Sequence, residues 1–274
     1  MLCDYHVHTY YSDDSDYAME DVVKDAIAKN LKEICITDHV DYGIKADPEG
    51  KTEEELKGKV LNVDYPKFYE EITRLRKKYQ NQINIMLGME FGVQTHTIPE
   101  FEKLFARYPF DFIILSCHQV EDQEFWNQEF QKGRNQKEYN ERYYQEILDV
   151  VKQYKNYSVL GHLDLINRYD KAGIYPFENV RDIVTEILKI VIADGKGIEL
   201  NTSSFRYGLK DLTPSREILK LYRELGGKIL TIGSDSHKPE HLGAYIEETM
   251  KELKDMGFEY YCTFDQMEPE FHEL

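Results

Sequence analysis

FIILSCH, residues 112–118, is a run of apolar residues that ends in a histidine. Its apolar residues are continuous rather than alternating, which is typical of a strand buried on both faces, as parallel strands covered by helices are. Six further runs share this form, and most of them also end in residues that bind metals: LCDYHVH (2–8), EICITDH (33–39), INIMLGMEF (83–91), YSVLGHLD (157–164), GIELNTS (197–203) and KILTIGSDSH (228–237). We therefore predict seven buried, parallel strands.

Segments with the apolar spacing of amphipathic helices lie between these runs. Pro214 is suited to a first helical turn, and Gly226 with Gly227 is suited to a helix end. The predicted helices cover about residues 19–30, 64–80, 98–107, 136–155, 177–194, 214–226 and 241–256. Strand and helix alternate without a linker-like change in composition, so we predict a single α/β domain, residues 1–274, of repeated β/α units.

Residues 40–63, VDYGIKADPEGKTEEELKGKVLNV, form the one long stretch without a clear strand or helix pattern. A connection of this length inside a compact domain is usually functional or mobile, which predicts a lid over a site. The alternative is a solvated insertion with a short helix from about Thr52 to Lys59. Both interpretations stay open from the sequence alone.

The composition bears on the class of partner and on the compartment. A formal net charge of −17 disfavours broad nucleic-acid and anionic-membrane surfaces, because both need clustered Lys and Arg, so we expect a small-molecule partner. No apolar run approaches the ~18 residues of a membrane helix, and no signal peptide precedes Asp4, which predicts a cytoplasmic protein. The four cysteines lack C-x-x-C pairing and are expected to be free thiols. The sequence does not indicate an oligomeric state.

Six of the nine histidines end an apolar run, whereas random placement would scatter them over helices and loops. They are His6, His8, His39, His118, His162 and His237. In a β/α barrel the carboxyl ends of all strands open on one face, where active sites are built, so these imidazoles are expected to converge. His6 and His8 also share one face of their strand, because they are two residues apart. We assign His96, His241 and His272 to surface or loop positions.

Carboxylates follow the same pattern, at Glu90, at Asp235 and at either Asp13 or Asp14. Together with the six histidines they make about nine donors, which is too many for one four- or five-coordinate ion and indicates two or three ions. Imidazole and carboxylate ligands without thiolate suit Zn, Mn or Fe. Such a cluster generates hydroxide near neutral pH and clamps phosphoryl oxygens, so hydrolysis of a phosphate ester is the leading reaction class.

Two arginines follow strand ends and suit a phosphate group. Arg168 lies in HLDLINRY, and Arg206 lies in ELNTSSFRYG. The fork of a guanidinium group matches the oxygens of a phosphate, so both arginines are candidates for holding a substrate phosphate. Taken singly, either residue is also explained as an ordinary surface arginine.

Together these motifs resemble the polymerase and histidinol phosphatase (PHP) superfamily of metal-dependent phosphoesterases, most closely its histidinol-phosphatase branch. The ordered set that carries the resemblance runs from HVHTYYSDDS through ITDH, GMEFG, SCH and GHLDLI to ELNTSSFR and GSDSHKPEHLG. The resemblance implies a distorted (β/α)7 TIM-like barrel with three divalent metals at its mouth and attack on phosphorus by a metal-bridging hydroxide. It also implies hydrolysis of L-histidinol phosphate, with Arg168 and Arg206 holding the phosphate.

The resemblance further implies how the ligands are distributed over the three ions. The first ion is held by His6, His8, Glu90 and Asp235, the second by Asp14, His39 and His237, and the third by His118 and His162 with Glu90 as a bridge. The pattern is weakest at Asp14, because some relatives have a histidine there and Asp13 is adjacent. The choice among zinc, manganese and iron stays open.

Two alternatives to hydrolysis of histidinol phosphate also stay open. The same metal site would serve another small phosphate ester, such as phosphotyrosine, a sugar phosphate or a nucleotide. A non-enzymatic metal-binding module is the less favoured alternative, because structural sites normally close their coordination with four ligands and need no additional arginines.

Overall fold

The structure is a computed structural model that describes residues 1–274. Its strands are β1 (Cys3–Val7), β2 (Glu33–Ile36), β3 (His39–Val40), β4 (Asn84–Gly92), β5 (Phe112–Ser116), β6 (Gln119–Val120), β7 (Gln123–Glu124), β8 (Val159–Leu160), β9 (Gly197–Asn201), β10 (Leu230–Gly233), β11 (Tyr260–Asp265) and β12 (Glu268–Glu273). Its helices are α1 (Met19–Ala28), α2 (Glu53–Leu56), α3 (Tyr65–Tyr79), α4 (Ile98–Phe105), α5 (Gln136–Gln153), α6 (Ile166–Tyr169), α7 (Arg181–Ala193), α8 (Arg216–Glu224) and α9 (Ile246–Asp255).

Seven strands form a parallel sheet in the order β1-β2-β4-β5-β8-β9-β10, and the short β3 pairs with β4. The segment after β10 returns to β1, where Ser236 bridges Val7 in parallel. The main-chain nitrogen of His8 donates to the oxygen of Ser236 at 2.8 Å, and the nitrogen of Ser236 donates to the oxygen of His6 at 3.1 Å. These bonds join the two edges of the sheet, which confirms the predicted seven-stranded barrel.

Each predicted strand and helix has a counterpart at nearly its predicted position. Every residue of β1, β5 and β9 is buried, as the continuous apolar runs predict for strands covered on both faces. Helix α7 buries Val184, Ile187, Leu188 and Val191, which have the spacing of one helical face. None of the nine α-helices combines the length and apolar character needed to cross a bilayer.

The predicted start of α8 is wrong, and its predicted end is confirmed. The helix begins at Arg216 rather than at Pro214, because Ser215 is its N-cap and accepts a hydrogen bond from the main-chain nitrogen of Ile218. The helix ends next to Gly226, whose φ of +87° lies in the left-handed region that glycine occupies without strain.

The insertion at residues 40–63 contains the short helix that the sequence allows. Helix α2 follows Thr52, which forms a capping box with Glu55. The two ends of the insertion are joined to each other, since the main-chain nitrogen of Asp41 donates to the side chain of Asn62 at 2.9 Å. Its role as a lid stays a prediction.

A carboxyl-terminal hairpin, β11 with β12, has no counterpart among the predicted strands. It packs at the amino ends of the barrel strands, where Phe264 contacts Phe112 with ring centroids 5.1 Å apart. The main-chain nitrogen of Met267 also donates to the oxygen of Asp111 at 2.9 Å, just before β5 begins. The hairpin therefore covers the barrel end opposite the strand-ending histidines.

Candidate metal centre

The carboxyl ends of the barrel strands surround a pocket of about 670 Å³. His6 and His8 lie beneath it, and neither residue is exposed to solvent. The other predicted site residues line it: Asp13, Asp14, His39, Glu90, His118, His162, Arg168, Arg206, Asp235 and His237. The structure therefore brings every predicted site residue to one place.

Glu90, at the end of β4, lies at the centre of this arrangement and is fully buried. Its Oε2 atom is 3.1 Å from Nε2 of His6 and 3.4 Å from Nε2 of His8. Its Oε1 atom is 3.0 Å from Nε2 of His118 and 2.9 Å from Nε2 of His162. Its Oε2 atom is also 2.9 Å from Nδ1 of His39, so one carboxylate faces five imidazoles.

Asp235 completes the group around His6 and His8. Its Oδ1 atom is 3.8 Å from Nε2 of His6 and 3.5 Å from Nε2 of His8. The φ of Asp235 is +54°, a left-handed conformation that a residue other than glycine adopts at some cost and that is often found at functional sites. Arg206 supports this turn by donating to the main-chain oxygens of Ser234 at 2.5 Å and of Asp235 at 2.7 Å.

A third group of side chains forms at the mouth of the pocket. The Oδ2 atom of Asp14 is 3.0 Å from Nε2 of His237 and 3.6 Å from Nε2 of His39. The neighbouring Asp13 turns away and contacts Lys45 instead, with 2.5 Å between Oδ1 and Nζ. Of the two adjacent carboxylates, Asp14 is therefore the one that faces histidines.

Three of the histidines are oriented through their second nitrogen. The Nδ1 atom of His6 donates to Glu199, that of His118 donates to Asp41 at 2.8 Å, and that of His237 donates to the main-chain oxygen of Asp235 at 3.0 Å. In each case Nε2 is the nitrogen that faces the other side chains of the cluster. Metal-binding histidines are commonly held in this way by a carboxylate or a carbonyl oxygen.

Buried nitrogen atoms without partners test whether the residues fit metal ions. His8 Nε2, His39 Nδ1 and His162 Nδ1 are buried and make no well-aligned hydrogen bond, although the first two lie 3.4 Å and 2.9 Å from Oε2 of Glu90. A buried polar atom without a partner costs about 1–3 kcal/mol, so folded proteins rarely retain several close together. Three groups of imidazole and carboxylate atoms also lie close enough to share ions. Both observations fit bound divalent metals, and the absence of thiolates fits Zn, Mn or Fe.

The buried ionisable groups shift each other's pKa values. Burial works to raise the pKa of Glu90, but the imidazoles of His6, His118 and His39 hold it well below its usual range. Burial works to lower the pKa values of His6 and His118, but nearby carboxylates raise the pKa of His6 well above its usual range and that of His118 to about 9. A metal ion at these imidazoles would therefore have to displace protons, which makes its binding pH-dependent.

Arg168 is part of the pocket wall. Its Nη2 atom donates to Oγ of Ser203 at 2.5 Å, and its guanidinium group lies 4.1 Å from the ring centroid of Tyr207. Its Nε atom is buried without a partner. Arg168 and Arg206 both line the pocket, so two guanidinium groups adjoin the clusters of imidazole and carboxylate atoms.

Several other residues at the strand ends have different surroundings. Asp164 accepts a hydrogen bond from the main-chain nitrogen of Ser215 at 2.9 Å and lies outside the pocket. His96 is exposed, and His272 contacts Oγ1 of Thr263 at 2.8 Å. His241 is a loop residue as predicted, but it also lines the pocket. All four cysteines are free and buried.

The carboxylates that orient the histidines are not among the predicted site residues. Glu199 is 1% exposed and accepts hydrogen bonds from both His6 Nδ1 and the main-chain nitrogen of His162. The available signal is a charged residue inside the apolar run GIELN. The hairpin of β6 and β7, which follows His118 and forms part of the pocket wall, is likewise absent from the predicted elements.

Comparison with known proteins was made with sequences and with solved structures. A family model described as the PHP domain matches residues 4–203. The histidinol-phosphatase of Lactococcus lactis is 32% identical over 96% of this chain and 94% of its own length. A probable histidinol-phosphatase of Clostridium acetobutylicum is 28% identical over 94% of this chain and 97% of its own length.

One solved structure is similar over almost the whole chain. It is histidinol phosphate phosphatase from Lactococcus lactis complexed with zinc, L-histidinol and phosphate, with a TM-score of 0.85 and 30% identity over 98% of both chains. The PHP domain match ends before Asp235 and His237, but this structure and both relatives extend over nearly all of the chain. On the combined evidence of sequence and fold, this chain belongs to the PHP domain family, in its histidinol-phosphatase branch.

Proposed function

We propose that this protein is a phosphoric monoester hydrolase of histidine biosynthesis that converts L-histidinol phosphate to L-histidinol and phosphate with the help of divalent metal ions. The observation that carries the proposal is a single pocket lined by metal-binding imidazole and carboxylate groups together with Arg168 and Arg206. The relatives named histidinol-phosphatase supply the substrate.

Three metal ions are proposed, with the ligands distributed as the family resemblance implies. The first is assigned to His6, His8, Glu90 and Asp235, the second to Asp14, His39 and His237, and the third to Glu90, His118 and His162. Bound divalent metals in such a cluster lower the pKa of water toward neutrality and offset the charge of a phosphoryl group. Zinc is the first metal to test, because the similar Lactococcus structure contains it.

The chain's own residues orient the substrate phosphate. Arg206 is fixed by its two main-chain acceptors, and Arg168 is fixed by Ser203 and by the ring of Tyr207. Guanidinium groups held in this way lose little freedom when they bind phosphate oxygens. Their charge also offsets the negative charge on the transferring group, which favours its transition state.

The proposal is tested by measuring phosphate release from L-histidinol phosphate, phosphotyrosine, a sugar phosphate and a nucleotide with zinc or manganese present. We expect kcat/KM for L-histidinol phosphate to exceed the others by on the order of a hundredfold, since a specific site discriminates by several contacts. Arg206→Ala should lose most of this activity, whereas Arg181→Ala, on the outer surface of α7, should retain it. Equal rates on all four esters would contradict the assigned substrate.

Metal analysis of the purified protein tests the cluster separately. We expect three ions per chain after loading with zinc or manganese, and loss of phosphate release after chelation. One ion or none per chain, with activity unaffected by chelation, would contradict the metal-dependent mechanism and favour the non-enzymatic alternative.

A further inference from the structure

The segment 119–131 contributes Gln119, Glu124 and Trp126 to the pocket wall, and hydrogen bonds fix its first turn. It begins with the hairpin of β6 and β7, whose turn residues Glu121 and Asp122 both have a φ of +57°, in the left-handed region typical of tight two-residue hairpin turns. Gln94 fixes the turn, since its Oε1 accepts from the main-chain nitrogen of Asp122 at 2.9 Å and its Nε2 donates to the Asp122 carboxylate at 2.7 Å. Residues that follow this turn are therefore presented to the pocket in a defined position.

Glu124, on β7, differs from every other carboxylate that lines the pocket. Five of the six are within 4.0 Å of a basic side chain: Asp13, Asp14, Asp41, Glu90 and Asp235. Glu124 has no such partner, and its carboxylate accepts one hydrogen bond, from Nδ2 of Asn127 at 3.0 Å. The pocket therefore contains one half-buried negative charge without a counter-charge.

Trp126 lies two residues further along the same wall. It is the only tryptophan in the chain, and 65% of its surface is exposed although it lines the pocket. The loop that carries it is joined to the Arg168 segment, because Nε2 of Gln128 donates to the main-chain oxygen of Tyr169 at 2.9 Å. An exposed indole face next to an unpaired carboxylate suits a ligand that combines a positive charge with a flat ring.

We propose, resting on the function proposed above, that Glu124 and Trp126 form the subsite for the organic half of the substrate. Glu124 pairs with the ammonium group of L-histidinol phosphate, which is charged at neutral pH as α-amino groups are. Trp126 packs against the imidazole ring. The metal cluster and the arginines bind the phosphate group, which all phosphomonoesters share. Glu124 and Trp126 are therefore the residues that distinguish one phosphomonoester from another.

The test of Glu124 compares two substrates in two variants. The substrates are L-histidinol phosphate and its deaminated analogue, imidazolylpropyl phosphate, and the variants are Glu124→Gln and Glu129→Gln. Glu129 is an exposed glutamate of the same loop that does not line the pocket. For Glu124→Gln we expect kcat/KM for L-histidinol phosphate to fall about ten- to hundredfold, mainly through KM, because a charge-assisted hydrogen bond is lost. The same variant should hydrolyse the deaminated analogue as well as the wild type does, and Glu129→Gln should leave both substrates unaffected.

The test of Trp126 uses a substrate without the ring. Trp126→Leu should raise KM for both imidazole-containing substrates but not for aminopropyl phosphate, which keeps the ammonium group and lacks the imidazole. An equal increase for aminopropyl phosphate overturns the assignment of Trp126 to the ring.

The outcomes separate this proposal from the proposed function. If the wild type prefers L-histidinol phosphate but Glu124→Gln affects both of its substrates equally, or neither, the subsite is overturned and the proposed function stands. If the wild type shows no preference for L-histidinol phosphate over the other esters, the proposed function fails and the subsite fails with it.

Discussion

The two ends of the barrel bury polar side chains in opposite ways. At the amino end, the hydroxyl of Tyr5 donates to Glu33 at 2.5 Å and accepts from the main-chain nitrogen of Phe264 at 2.7 Å. Glu33 also accepts from Nδ2 of Asn84 at 3.1 Å. At the carboxyl end, His8, His39 and His162 each keep a buried nitrogen that makes no well-aligned hydrogen bond, although Nε2 of His8 and Nδ1 of His39 lie beside the Glu90 carboxylate.

This difference indicates that polar residues at the amino end stabilise the fold, whereas those at the carboxyl end serve the function. Groups at the amino end satisfy each other, so they stabilise the fold and need nothing from outside. Groups at the carboxyl end are left incomplete and gather several buried ionisable side chains, which folding alone does not favour. In β/α barrels, active sites lie at the carboxyl face and purely stabilising residues at the other. Substitutions at the two ends should therefore affect activity and stability separately.

The largest effect is expected from removing a ligand at the carboxyl end. His6→Ala deletes an imidazole that faces both Glu90 and Asp235, so we expect kcat to fall by on the order of a thousandfold or more and bound metal to decrease. Steady-state phosphate release and metal analysis measure the two effects. Tyr10→Phe is the control, because Tyr10 lies in the same segment, is 46% exposed and contacts Glu71 rather than any proposed ligand. Comparable losses in both variants would contradict the role assigned to His6.

A smaller effect is expected from Glu199, which orients a ligand without facing the pocket. Glu199→Gln replaces the carboxylate that holds Nδ1 of His6, and partners of this kind are worth about 10- to 100-fold in metal affinity or activity. We expect a metal titration of the apoprotein to shift by that factor, with activity restored at high metal concentration. The exposed Glu70 supplies a matched control, Glu70→Gln, for which the titration should not move. Activity that stays low at saturating metal would argue against a positioning role.

The sequence was sufficient to predict the barrel strands and the residues that gather at their carboxyl ends. Both signals are local, because each strand shows as an apolar run and each predicted site residue lies at or just beyond its end. The hairpin of β6 with β7 was missed because strands of two residues carry no apolar run, and β12 was missed because it is largely exposed. The buried strand β11 does carry an aromatic-rich run, which we did not assign to a strand. A strand that covers a barrel end is defined by what it packs against, which a local pattern does not contain.

Contacts between residues far apart in the sequence were also not predicted. Glu199 and His6 are 193 residues apart in the sequence, and they come into contact only because the barrel closes. The choice between Asp13 and Asp14 depends on Lys45, which the insertion brings to Asp13. Two adjacent carboxylates are equivalent in a sequence pattern and become different only in the folded chain. The roles of the site residues as ligands stay predictions until the substitutions are made.

The smallest effect on activity is expected at the amino end, where stability should change instead. Tyr5→Phe leaves the main-chain nitrogen of Phe264 without its acceptor and removes a donor to Glu33, so we expect the free energy of unfolding to fall by about 1–3 kcal/mol. The kcat of the folded enzyme should be unchanged. Denaturant unfolding and activity assays on the same preparations measure both.

Tyr154→Phe sharpens this last comparison, because the hydroxyl of Tyr154 is buried without a partner. Removing it deletes an unsatisfied group rather than a hydrogen bond, so the expected change in unfolding free energy is close to zero or stabilising. Equal destabilisation by Tyr5→Phe and Tyr154→Phe would mean that loss of packing, not of hydrogen bonds, explains the effect. A loss of kcat in Tyr5→Phe would mean that the amino end is coupled to the metal centre. Such coupling would pass along β1, in which Tyr5 is followed directly by His6.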